Sequence, residues 1–161
     1  MKSGRKVQAW GMGILLAAGL LPAHGEQFRG LRTTDSTGCH MTDGRSTAPT
    51  LVTAVELYHD GVFPRERSLK IIDVALASGC GIDEPDEVGS TPLVAAILFN
   101  EPELVRLLLQ RGADPYRRIV SPLKFTNGLD AFGFLARMQE KRPAENRQAI
   151  QTELERYRRE R

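Results

Sequence analysis

Residues 89–118 read GSTPLVAAILFNEPELVRLLLQRGADPYRR, and this stretch decides the fold. Thr91 is an N-cap residue, and Pro92 sits where a helix has no use for its first N–H. Leu93, Ala95, Ala96 and Ile97 then give a short apolar helix. Proline suits only a first helical turn, so Asn100-Glu101-Pro102 ends one helix and starts another. Leu104, Val105, Leu107, Leu108 and Leu109 give the second helix a wide apolar face. Gly112 stops it, and Ala113-Asp114-Pro115 leads into a loop. The unit is a helix–turn–helix with an apolar side that it cannot bury alone.

Thr91-Pro92-Leu93 with Ala96, then Leu104-Val105-x-Leu107-Leu108-Leu109, then Gly112-Ala113-Asp114 closely resembles the ankyrin repeat. That family has a unit of about 33 residues with the signature T-P-L-H-x-A. Two positions depart from it: Val94 replaces the usual His, and Asn100-Glu101 stands where Gly-His is common. The pattern continues on both sides. Upstream, residues 49–55 align with residues 91–97, and residues 69–77, closed by Ser78-Gly79, supply the second helix. The spacing exceeds the family unit, and the excess falls in residues 58–68. Downstream, residues 128–136 are a degenerate start, followed by a helix over 143–157 with Ile150, Leu154 and Tyr157 on one face. A terminal repeat is expected to be atypical, because it turns a polar side outward.

The resemblance implies an all-α fold, a short ankyrin-type solenoid of about three helix-turn-helix repeats with an irregular N-terminal segment. The repeat domain covers residues 47–158, divided at 47–88, 89–127 and 128–158. Residues 26–46 are rich in Thr, Ser, Gly and Asp and show no apolar period. They read as an irregular, extended lead-in that packs on the domain only in part.

The chain opens with Lys2, Arg5 and Lys6, followed by a mostly apolar run over 7–21. Pro22 breaks that run, and Ala23 and Gly25 place small residues before a cut after Gly25. This is the three-part layout of a secretory signal peptide. The run is shorter than the about 20 apolar residues of a spanning helix. Residues 1–25 are therefore expected to be removed on export to the periplasm, leaving no membrane anchor. They carry three basic residues and no acidic one, so the formal charge of +2 becomes slightly negative without them. Net charge then gives no support to a nucleic-acid partner. Export also meets an oxidising compartment, where Cys39 and Cys80, the two cysteines, can bridge and staple the lead-in to the first repeat. Two free thiols, or a bond to another chain, are the alternatives.

Nothing in the sequence spells out a reaction. There is no Gly-rich phosphate loop, nucleophile elbow, H-E-x-x-H or zinc-ligand spacing. Asp83, Glu84, Asp86 and Glu87 lack EF-hand spacing and read as a solvated loop tip. The basic residues from Arg156 onward suit a helix C-terminus. No catalytic residue, metal or cofactor is expected.

The resemblance implies binding of another protein through loop tips and the exposed side of each first helix. Those positions are Glu56 and Leu57 in the first unit, Glu87, Val88, Ser90, Leu98, Phe99 and Arg111 in the second, and Arg137 and Met138 in the third. Aromatic and Arg anchors dominate interfaces, which adds Tyr116 and Arg117 beside Phe99. Leu98 and Phe99 make an exposed apolar patch unless the insertion at 58–68 or the loop at 121–127 folds over them. The expected function is a monomeric, non-enzymatic binding protein of the periplasm, an immunity protein that neutralises a toxin. A periplasmic scaffold or catalase-associated stress-resistance protein is one alternative, and a thiol-redox protein using Cys39 and Cys80 is another.

Overall fold

The computed structural model describes residues 30–61 and 63–160, so the signal-peptide reading of residues 1–25 lies outside the described residues. Among them, three short strands come first: β1 (Arg32–Thr33), β2 (His40–Thr42) and β3 (Thr47–Pro49). Six helices follow: α1 (Thr50–His59), α2 (Arg65–Ala77), α3 (Pro92–Leu98), α4 (Pro102–Gln110), α5 (Ala131–Lys141) and α6 (Gln148–Arg159). The helices form three pairs, α1 with α2, α3 with α4 and α5 with α6. The first helices make one row, α1 on α3 on α5, and α4 stacks on α6 behind it. Each pair thereby buries its apolar stripe against a neighbour, which is the logic of a solenoid.

Three helices stop in the same way. Gly79, Asn100 and Gly112 all have positive φ and follow the last turns of α2, α3 and α4. After α3, the Asn100 N–H donates to the Ile97 carbonyl and the Glu101 N–H to the Ala96 carbonyl. The matching pairs are Gly79 to Leu76 and Cys80 to Ala75 after α2, and Gly112 to Leu109 and Ala113 to Leu108 after α4. These are Schellman caps, which satisfy carbonyls that a helix end otherwise leaves bare. Asn100 fills the left-handed position, which asparagine tolerates better than most residues.

Arg147, 2% exposed, completes the end of α3. Its guanidinium donates to the carbonyls of Ile97 and Leu98 and pairs with Glu145. A cation at a helix C-terminus also meets the negative end of the dipole.

The lead-in differs from its expected irregular form. Residues 32–49 fold into an antiparallel sheet in the order β1-β2-β3, with Met41 opposite Thr33 on one side and Ala48 on the other. The strands are two or three residues long, too short for alternation to be read. Their turns are built on aspartates. Asp35 accepts from the Thr37 and Gly38 N–H groups, and Asp43 from those of Arg45 and Ser46.

The sheet is fastened to the first helix pair. Cys39 and Cys80 form a disulfide with Cα atoms 5.2 Å apart. The Thr50 N–H donates to the Cys39 carbonyl, and His40 Nε2 lies 2.8 Å from Glu84 Oε1. Cys80 is also the residue whose N–H closes the cap of α2, so the bridge holds the sheet to a fixed helix end.

The insertion at 58–68 proves to be mainly extra helix. α1 runs on to His59, and α2 begins at Arg65 rather than Leu69. Its first turn, Arg-Glu-Arg-Ser, is polar and so carries no apolar signal.

Three stability outcomes follow. Replacing Cys39 and Cys80 together by serine frees a loop closed across 41 positions. On the chain-entropy account this lowers unfolding free energy by about 3–4 kcal/mol, measured by urea unfolding with and without reductant. Amide exchange of Met41 and Thr42 should rise with it. The second concerns Glu145, whose carboxyl is held below the usual 4.5 first by its hydrogen bond to Arg147 and then by the charges of Arg147 and Arg142. The contribution is present above that value and is lost as pH falls through the lowered one. Thermal melts across about pH 5 to about pH 3 should therefore show a smaller loss of Tm in Glu145→Gln than in the parent. Arg147→Met should cost about 2–4 kcal/mol at neutral pH, because two helix carbonyls lose their donor.

Candidate partner-binding face

Within each pair the second helix returns antiparallel to the first, so the loops joining successive pairs hang at one end of the stack. Two such loops meet there, residues 80–91 and residues 112–130. The first is a tight turn. The Asp86 carboxylate accepts from the Val88 and Ser90 N–H groups at 3.0 and 2.7 Å, and the Asp86 N–H donates to the Ser90 carbonyl. Thr91 then caps α3 by accepting from the Val94 N–H.

The second loop projects. The Ile119 N–H donates to the Leu129 carbonyl and the Gly128 N–H to the Ile119 carbonyl, both at 2.8 Å, which pinches residues 119–129 into a closed excursion. Inside it, the Thr126 and Asn127 N–H groups share the Leu123 carbonyl, and Asn127 Oδ1 accepts from the Ser121 N–H. Arg118 donates to the Gly128 carbonyl at its base. The excursion is thus hydrogen-bonded within itself, and its large apolar side chains point out. Val120 is 84% exposed, Phe125 48% and Leu123 41%.

The two loops form one surface. The Asp114 N–H donates to both carboxylate oxygens of Asp83. Burial pushes the Asp83 carboxyl above its ordinary pKa, opposed by that hydrogen bond. Gly89 (φ +84°) lies against the other loop so closely that a Cβ there would sit 2.2 Å from the Val120 carbonyl oxygen. Val88, the residue before it, is exposed. Tyr116 is half exposed with its ring on Phe132, and Arg117 is open to solvent.

The sequence-derived positions separate into groups. Glu87, Val88, Tyr116 and Arg117 lie on the tip surface and are exposed. Ser90 is there too, but its hydroxyl is buried without a partner. Arg111 is exposed and ion-paired to Asp73 of α2 at 2.8 Å. Glu56 is exposed on α1, its carboxyl pushed up by desolvation and then by Asp86.

Leu57 and Met138 are corrections, because both are buried and leave the candidate surface. Leu57 lies under the small sheet, sharing a cleft with Leu31, Met41 and Ala48. Met138 belongs to the core that α5 forms with its neighbours.

Leu98 and Phe99 sit at the opposite end of α3 from the tips and are half buried. His59 from the end of α1 stacks on Phe99 at 4.6 Å. Arg142 and Glu145 line the same depression. The cover thus comes from the first insertion and the α5–α6 turn, and the loop at 121–127 stays on the tip surface. Sequence reasoning missed Val120, Leu123 and Phe125. The available signal was three large apolar residues in a Pro-, Gly- and Asn-containing loop with no helical or strand period.

No cluster of His, Cys, Asp or Glu fit to hold a metal is present among the described residues. Nor is any described helix long and apolar enough to cross a membrane.

Residues 88–119 match the family model described as Ankyrin repeat, and the chain carries an ankyrin repeat there. A 35-residue stretch is 54% identical to human DNA-binding protein RFXANK, covering 22% of this chain and 14% of that relative. No solved structure matches the chain.

Gly89→Ala tests whether the two loops are locked as one surface. It should cost more than about 2 kcal/mol, from the left-handed backbone and the clash with Val120. The amide resonances of Val120 and Ser121 should shift with it, read by chemical denaturation and by NMR.

Proposed function

From a chain that carries an ankyrin repeat, a module of protein–protein interaction, we propose a non-enzymatic binding protein that seats one partner protein on the tip surface around residues 119–129. The observation that supports this reading is the closed, hydrogen-bonded loop that presents Val120, Leu123 and Phe125 to solvent. Apolar side chains displayed on a rigid loop bind with little ordering cost. Arg117 and Lys124 flank them, so an apolar partner surface rimmed by carboxylates fits best. DNA binding, in the name of RFXANK, is said of that protein alone, and the shared stretch is a small part of it.

The finer reading is an immunity protein of the periplasm, exported by cleavage after Gly25, that caps a toxin acting in the same compartment. It rests on the signal-like start and the absence of a catalytic constellation in the sequence. The disulfide between Cys39 and Cys80 suits an oxidising compartment. A thiol-redox role has less support, because Cys80 is buried and closes a helix cap.

The test is an affinity capture from periplasmic extract with the chain beside its Val120→Asp, Phe125→Asp variant. One partner should be retained by the parent and lost by the variant, with affinity reduced at least ~30-fold when remeasured with purified components. A partner held equally by both would remove the tip surface from the proposal. A deletion strain that grows as well as its parent beside toxin-delivering siblings would remove immunity while leaving binding intact.

A further inference from the structure

A second surface lies on the first helix pair, away from the tip loops. Arg67, Lys70, Ile71, Val74 and Ser78 fall at i, i+3, i+4, i+7 and i+11 along α2, so they make one stripe. It lies beside the stripe that faces the core, where Ser68, Ile72 and Ala75 are buried; Ile71 packs in part on that core, and Ala75 reaches the groove as well. The outer stripe forms one wall of an open groove of about 430 Å³, and Thr33, Gly38 and Met41 of the sheet form the other. Val74 is 57% exposed, and among the described residues it alone of the exposed large apolar side chains lies on a helix.

Five charged side chains lie on α2, and of these Glu66 is exposed at the first turn without lining the groove. Arg65 is paired with Glu101 and Asp73 with Arg111. Arg67 and Lys70, both exposed, make no ion pair among the described residues. They stand one turn apart at the rim of the apolar groove. In the stack α3 has helices on both sides, but the sheet caps the first pair mainly over α1 and leaves the outer side of α2 open.

We propose that this groove receives an amphipathic helix from a partner protein, one whose apolar stripe lies on Ile71 and Val74 and whose flanking carboxylates meet Arg67 and Lys70. The charge pattern selects an acidic occupant. The stripe runs about 16 Å along α2, three turns, which matches the apolar stripe of a helical occupant of equal length. An occupant packed there continues the row of second helices. The mode is a helix laid into a groove and read through anchors one turn apart.

The experiment uses the purified, disulfide-bonded chain and a fluorescent, covalently stapled helical peptide of about 16 residues, with leucines at i, i+3, i+4 and i+7 flanked by glutamates. A second peptide has lysines in place of the glutamates. Anisotropy should give saturable one-to-one binding of the acidic peptide, with methyl NMR shifts at Met41, Ile71 and Val74. Val74→Asp, or Arg67→Glu with Lys70→Glu, should weaken it at least ~tenfold, and the lysine peptide should be weaker by the same margin. All three side chains that are replaced are exposed, so circular dichroism should be unchanged. The Val120→Asp, Phe125→Asp variant should bind the peptide normally, which separates this surface from the tips. Absence of saturation, equal binding of both peptides, or shifts elsewhere would overturn the proposal. So would a dimer of the chain that Val74→Asp dissolves, since the groove would then belong to a second copy.

Discussion

The burial of α3 on every side is the constraint on which the rest of the structure depends. All six residues from Pro92 to Ile97 are buried, and the helix packs on α1, α4 and α5 at once. A helix of seven residues has too few internal hydrogen bonds to persist alone. Its stability is borrowed from its neighbours and from its ends. Thr91 satisfies the first turn, Asn100 turns the chain out, and Arg147 reaches in from the α5–α6 connection to hold the last carbonyls. Burying a guanidinium costs desolvation, which here is offset at Nη1 and Nη2 by two carbonyls and a carboxylate, while the buried Nε has no partner. The second and third repeats are therefore coupled by a polar lock as well as by apolar contact. The stack should unfold as a unit, although long repeat arrays lose that cooperativity.

The N-terminal end meets the same need by other means. A stack of helical repeats exposes an apolar side at each end, and the chain closes one of them with a sheet of eight strand residues. So small a sheet cannot stand alone. It is held by the disulfide to Cys80, by the Thr50 hydrogen bonds and by His40 on Glu84. Met41 is the side chain it presses inward, and Leu57 is what it covers. The exposed side of α2 follows from this economy, since a three-stranded cap spans one helix of the pair.

The central repeat was legible in the sequence because its signals are local. Thr-Pro at the start, Asn-Glu-Pro at the turn and Gly-Ala-Asp at the end each fix backbone geometry within a few residues. The bounds of α3 and α4 follow from them. The flanking elements were less legible for stated reasons. The first turn of α2 is polar, and α6 begins at Gln148 after residues 143–147 serve as a turn instead of a helix start. The strands are too short to alternate. Burial of Leu57 and Met138 depended on what lies across from them, which no periodicity along one helix reports. The tip positions Glu87 and Val88 were found from the repeat pattern and Arg117 from the preference of interfaces for Arg anchors; Val120 was not found, because the loop between α4 and α5 is longer than a unit of about 33 residues allows.

That longer loop bears on what the surface can do. Exposed valine, leucine and phenylalanine on a slack segment would collapse onto the nearest apolar surface. Here the backbone groups of Ile119, Ser121, Leu123, Thr126, Asn127 and Gly128 are occupied within the excursion, and Thr126 is buried beneath it. Gly89 at the adjacent turn leaves room for the Val120 carbonyl and for nothing larger. The apolar residues are held outward by satisfied polar groups underneath them. Two successive repeats thus contribute to one rigid apolar surface, whose two loops are already fixed against each other before any partner arrives.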